Sequence, residues 1–147
     1  MKKIMFLVWL LICFSCTKDF TTSTIFIITN NTDKEVELSI KLGTYIVGHS
    51  DRDTFAIFPS ESITQEYKAD GKNAVYSYPF DPGADSVKIN FNSKRMLSYT
   101  LLDSTSRNPL LFENYTNTKI SSSDGGVYEC IFTIIEEDYN NAVPIEN

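Results

Sequence analysis

Residues 23–42, STIFIITNNTDKEVELSIKL, decide the fold. Ile25 to Thr29 is a run of β-branched and aromatic residues, NNTD at 30–33 is turn chemistry, and Val36, Leu38 and Ile40 alternate with Glu35, Glu37 and Lys41. A period of two puts every apolar side chain on one face of an extended chain, so the second run reads as a strand with one buried and one wet face. The stretch predicts two strands around a turn.

The same style continues downstream. Thr54 to Phe58 reads as a strand, PSES as a turn, and Ile63 to Lys68 as its partner before ADGKN. Tyr76 to Phe80 reads as a short strand ended by DPGAD. Ser86 to Phe91 places Val87, Ile89 and Phe91 on one face, NSK turns the chain, and Met96 to Thr100 returns. Residues 101–126 are the least regular, with Asn108 in an N-cap position ahead of Pro109, so one helical turn carrying Leu110 and Leu111 into the core is expected. Val127 to Ile135 is apolar on both alternating faces, which predicts a central strand. EEDYNNAVPIEN reads as a polar, acidic tail with a frayed helical turn through Asp138 and Asn141. Short hairpins at regular spacing predict an all-β fold, an antiparallel β-sandwich of seven to nine strands with immunoglobulin-like or related topology. No repeat or heptad interrupts the pattern.

Upstream, MKKIMFLVWLLICFSC opens with Lys2 and Lys3, then the apolar run Ile4 to Phe14, then the small Ser15. That order is an export signal. Crossing a bilayer as a helix takes about twenty apolar residues, and this run is shorter. Cys16 directly follows the small residue, as in the lipobox of bacterial lipoproteins, where the cysteine sulfur receives diacylglycerol and the cysteine becomes the acylated N-terminus. Several acyl chains bury far more apolar surface than the single chain that gives marginal binding. The division expected is a signal peptide at 1–15, the lipidated Cys16 with a short tether at 16–23, and one β-sandwich domain at 24–147. The alternative is an ordinary secretory signal cleaved at the same bond. Cys13 leaves with the signal, so an unacylated Cys16 would make Cys16 and Cys130 a candidate disulfide in an oxidising compartment.

Composition narrows the partners. Removing residues 1–15 takes two lysines and no acids, leaving 11 basic and 19 acidic residues, a net charge of −8. Nucleic acid is thereby disfavoured, since binding phosphates requires a lysine- or arginine-rich surface. The acidic balance also repels anionic membrane surfaces, so the domain is expected to stand off the bilayer.

IFIITNNTDKEVEL, FPSESITQEY, DPGADSVKINF with KRMLSYT, SRNPLLFENY and EEDYNNA together resemble small lipoproteins of Bacteroides-type bacteria, a group with no assigned activity. The resemblance spans nearly all of the mature chain and implies fold and location: a Gram-negative cell envelope, the outer membrane; display on the outer face goes with several acids after the cysteine, and CTKDF offers one, so surface exposure stays open. It supplies no catalytic residue.

The residue types that carry chemistry are sparse. His49, Ser50, Asp51 and Asp53 in GHSDRD are the types of a hydrolase triad, yet adjacent side chains on an extended chain point to opposite faces, and triads assemble from separate elements. His49, the only histidine, reads as a solvated loop residue. Cys130 sits among apolar neighbours, where a thiol is a small hydrophobe with a raised pKa. One histidine and one spare cysteine cannot form a zinc set. Asp51 with Asp53 and Asp81 with Asp85 are the weak calcium candidates, without a calcium-loop pattern, and no cofactor is expected. Tyr45, His49, Tyr76, Tyr78 and Tyr115 fall in or beside loops and form the candidate ligand-facing set, against cross-strand packing as their ordinary use. Trp9 is lost with the signal.

Three functions are therefore weighed. The first is a lipid-anchored, non-enzymatic module binding a protein or glycan through loops at one end. The second is an accessory subunit of an envelope assembly, pairing through an exposed edge strand. The third, weakest, is an enzyme using loop carboxylates such as Glu113, Glu136 or Asp138.

Overall fold

The two strands read in residues 23–42 face each other across a core instead of lying side by side. The computed structural model describes residues 20–43, 52–71, 74–80, 82–121 and 125–146. Among them are nine strands: β1 (Thr21–Asn30), β2 (Val36–Leu42), β3 (Arg52–Ile57), β4 (Ser62–Asp70), β5 (Ala84–Phe91), β6 (Arg95–Thr100), β7 (Thr116–Ser121), β8 (Val127–Ile134) and β9 (Val143–Pro144). A short helix, α1 (Glu136–Asn141), precedes β9. One sheet has the order β4-β1-β8-β7 and the other β3-β2-β5-β6-β9. The architecture is the all-β sandwich expected.

Alternation explains the layering. Phe26 and Ile28 of β1 and Phe132 and Ile134 of β8 point inward from one sheet, and Val36, Leu38, Ile40, Val87, Ile89 and Phe91 meet them from the other. Each such side chain is almost fully buried, worth about 1.5–3 kcal/mol of transfer free energy. Phe26 packs edge-on against Tyr67, Phe112 and Tyr115.

Several local expectations change. NNTD does not close a hairpin, because β1 pairs with β4 and β8 while β2 pairs with β3 and β5. The connection is an arch between sheets, and so is PSES between β3 and β4. Both arches hang on Asn30, whose buried amide donates to the Lys34 carbonyl (2.7 Å) and the Ile57 carbonyl (2.9 Å). Its oxygen accepts from the Thr32 backbone N–H and hydroxyl. Its backbone exchanges bonds with Ser60 and Glu61. A buried amide with every donor and acceptor used specifies one path for the chain.

The sandwich is not wholly antiparallel, since β1 and β8 run parallel from Ser23↔Val127 to Asn30↔Ile134. β8 is central in its sheet, as expected, but only one face is fully buried, with Val127, Tyr128, Glu129, Ile131 and Thr133 half-buried. β1 starts at Thr21, inside the segment read as tether, because the Thr22 hydroxyl is buried and donates to the Gly71 carbonyl. Tyr76–Phe80 is not a strand: the Tyr76 N–H is taken by the Thr24 hydroxyl, and Pro79 has no N–H to offer a ladder. β7 arises in the segment expected to be irregular, where Thr116 to Ile120 are all exposed and carry no period for a sequence reading to detect. Asn108 caps no helix at Pro109. Its Oδ1 accepts from the Leu110 N–H in a side-chain turn, its Nδ2 donates to the Thr100 and Asp103 carbonyls, and the only helical turn nearby is Phe112–Asn114. Leu110 is buried as expected, whereas Leu111 is half-exposed. The acidic tail is built into the fold, through a buried Asp138 in α1 and through β9 pairing with β6 at Arg95 and Met96.

β1 spans ten residues, about 33 Å at the usual rise per residue, and defines two ends of the sandwich. At the Thr21 end lie the starts of β3, β5 and β8 and the finishes of β2, β4, β6 and β7. At the Asn30 end lie both arches and the β5–β6 turn. No helix among the described residues is long and apolar enough to cross a membrane.

Candidate functional site

Among the described residues a polar concavity opens at the Asn30 end, where β2 begins and β5 turns into β6. It is lined by Glu35, Glu37, Asn90, Asn92, Ser93 and Lys94 and has a volume of about 440 Å³. That is the size of a small-ligand site, but the lining is carboxylate, amide, hydroxyl and ammonium, not the apolar wall usual for drug-like ligands. Glu35 and Asn92 exchange two bonds: Glu35 N–H donates to Asn92 Oδ1 (2.8 Å) and Asn92 N–H donates to the Glu35 carbonyl (2.9 Å). Asn90 Nδ2 donates to Glu37 Oε1 at 3.0 Å. The strand pairing Glu37↔Asn90 fixes that contact, since side chains directly opposite share a face.

The β5–β6 turn shapes the cleft floor. Asn92 (φ 48°) and Ser93 (φ 55°) both adopt left-handed backbone, and Lys94 N–H closes the turn on the Phe91 carbonyl. This is the hairpin turn whose second position ordinarily carries glycine. A serine there bears a conformational cost, and such cost gathers where a side chain has a task. NSK was legible as a turn, but nothing in the sequence placed Glu35 and Glu37 beside it.

None of the described residues among the sequence-predicted ligand set, Tyr76, Tyr78 and Tyr115, lines this cleft. Tyr45, His49, Asp51, Asp81 and Cys16 lie outside the described residues. Tyr115 is not a loop residue facing solvent: it is buried in the core and its hydroxyl donates to the Pro109 carbonyl at 2.8 Å. Burial, with Cys130 and Tyr67 nearby, holds its pKa well above the ordinary tyrosine value. Tyr76 and Tyr78 do come together at the Thr21 end, but Tyr76 is stacked on Tyr67 at 4.5 Å, so one of its faces is covered. Tyr78 is exposed. Asp53 and Asp85 are exposed, and among the described residues no three His, Cys, Asp or Glu side chains gather in a way that could hold a metal. Cys130 is fully buried, and burial raises its thiol from 9.0 to about 11.

The loop carboxylates are placed too. Glu113 and Glu136 are exposed, and Asp138 is committed to Arg107, whose pKa rises through that hydrogen bond. Tyr99 beside this pair is raised by burial and by the Asp138 charge.

No protein-family model, curated protein or solved structure matches the chain.

Proposed function

We propose that the protein is a lipid-anchored, non-enzymatic module of a Gram-negative cell envelope, held at the outer membrane through Cys16, that binds a polar partner in the cleft at the Asn30 end. The observation that carries this reading is the set Glu35, Glu37, Asn90, Asn92, Ser93 and Lys94 around one open concavity. Amide, carboxylate and hydroxyl groups in an open cleft match the hydroxyl pattern of a glycan or the backbone of an extended peptide. The cleft also lies at the opposite end from Thr21, where the chain comes from its anchor, so it faces away from the membrane. The likeness to lipoproteins of Bacteroides-type bacteria supports the same location.

Capture experiments on the membrane-bound protein test it. Wild-type protein should retain an envelope glycan or protein fraction that a Glu37→Ala, Asn90→Ala double variant releases. Equal retention by both, or hydrolysis of the retained material by purified protein, would end the reading.

The rival role, assembly through an edge strand, is favoured by β7, which ends its sheet with Ile120 exposed. The register shift between Lys119 and Ser121, together with the charge of Lys119, works against it, because bulges and lysines blunt edges against pairing. The cleft is therefore the preferred site.

A further inference from the structure

At the Thr21 end, β6 finishes in a tight turn, Thr100-Leu101-Leu102-Asp103. Asp103 N–H donates to the Thr100 carbonyl at 3.1 Å, and Asp103 Oδ2 accepts from both the Thr100 N–H (2.6 Å) and the Thr100 hydroxyl (3.0 Å). Leu102 N–H donates to that hydroxyl, and Asn108 Nδ2 clamps the Thr100 and Asp103 carbonyls from behind. The two central positions of a turn ordinarily carry Gly, Pro, Asn, Asp or Ser. Here they carry leucines, 50% and 93% exposed, on a backbone held by six hydrogen bonds.

The leucines are not alone. Leu101 shares a small apolar crevice with Tyr78, Pro79, Pro82 and Leu110, and Tyr78 is 53% exposed. Tyr78 touches Tyr76, whose N–H is bonded to Thr24, and the Phe20 carbonyl accepts from Gly71 at 2.6 Å. Through Tyr76 the patch reaches Thr24, the fourth residue of β1, so both lie toward the Thr21 end of the sandwich. Cys16 and Phe20 are four residues apart, at most about 14 Å of extended chain. A headgroup layer is several ångströms thick, so an anchor at Cys16 brings this end of the sandwich to the membrane surface.

We propose that the Leu101–Leu102 turn, with Tyr78 beside it, is a bilayer contact that enters the interfacial layer and sets the orientation of the domain. It rests on the lipid-anchored reading of Cys16. The expectation that net acidity keeps the domain off the bilayer yields at this end to apolar surface held on a rigid turn. The contact draws on apolar burial against the repulsion of a net negative chain, so added salt, which screens that repulsion, does not weaken it. Tyr78 suits the interface, as an apolar ring with a polar tip.

The test uses the full, lipidated chain carrying Leu102→Cys, labelled with a nitrobenzoxadiazole dye and reconstituted in phosphatidylethanolamine–phosphatidylglycerol vesicles. Cys130 is fully buried and stays unlabelled in folded protein. Phe58→Cys, exposed at the Asn30 end, is the control. The Leu102 label should shift to the blue and be quenched by spin-labelled lipid at low and high salt, while the Phe58 label reports water. A Leu102 label that reports water overturns the contact, as does one shielded from aqueous quenchers in native envelopes yet untouched by spin-labelled lipid, which would mean a protein partner. Flotation of unlabelled protein judges the anchor separately. A chain that floats while its Leu102 label stays in water keeps the anchor and loses this contact, and a chain that does not float loses both.

Discussion

Arg107 grips Asp138 with two parallel N–H···O bonds, Nε to Oδ1 at 2.7 Å and Nη2 to Oδ2, while Nη2 also donates to the Thr133 carbonyl. Asp138 in turn accepts from the Ile135 N–H at 2.9 Å, which starts α1. One guanidinium thereby fastens the segment between β6 and β7 to the end of β8 and to the last helix. Arg107→Ala leaves a buried carboxylate without its counter-charge and should cost about 3 kcal/mol, the lower part of the range for broken buried pairs because Arg107 is partly exposed. Urea unfolding followed by circular dichroism measures it, and an unchanged midpoint contradicts the role.

Asn30→Ala should be as damaging by another route. It deprives the Lys34 and Ile57 carbonyls of their donor and Thr32 of its acceptor inside the sandwich. Orphaned buried groups cost about 1–3 kcal/mol each, so a loss of about 3 kcal/mol is expected even though no large side chain is removed. Thr32→Val, which deletes only the hydroxyl, should lose about 1 kcal/mol in the same assay.

Alkaline pH should weaken the fold through Cys130. Burial raises its thiol from 9.0 to about 11, so above pH 9 the unfolded chain releases a proton that the folded chain keeps. Stability is therefore full below about pH 9 and falls as pH rises toward 11, by up to about 1.4 kcal/mol per unit. Tyr115, also raised, adds to the fall above pH 10. Denaturant midpoints between pH 7 and 10.5 should drop in wild type and drop less in Cys130→Ala.

Ser93→Gly separates stability from function. It relieves a left-handed serine at φ 55° and should add about 1 kcal/mol to the fold. The same change removes a hydroxyl from the cleft, so retention of the envelope fraction should weaken. A variant that is more stable and binds equally well would remove Ser93 from the site.

Layering was legible because it depends on period-two alternation, and residues 86–100 show it as plainly as residues 23–42. Sheet assignment was not, because NNTD looks the same whether it closes a hairpin or arches between sheets; the choice is made by Asn30, whose partners at Ile57 and Ser60 lie far along the chain. β7 was hidden since, Ile120 apart, its residues are polar on both faces, and its ladder runs to β8. The cleft was illegible for a related reason: Glu35 and Glu37 read as the wet face of a strand, and only the register of β2 on β5 brings them to Asn90 and Asn92. The aromatic set failed at Tyr115, where a loop-like sequence delivers a ring into the core.

The parallel seam between β1 and β8 joins residues about a hundred positions apart, so the first strand of its sheet has its second neighbour only when the last strand of that sheet arrives. Local contacts cannot close that sheet, and long-range pairing of this kind is slow. A chain emerging N-terminus first would leave the β8-facing edge of β1, with Ile25, Phe26, Ile27 and Ile28, unpaired until most of it had emerged, an interval in which a holding chaperone would have its greatest effect on yield.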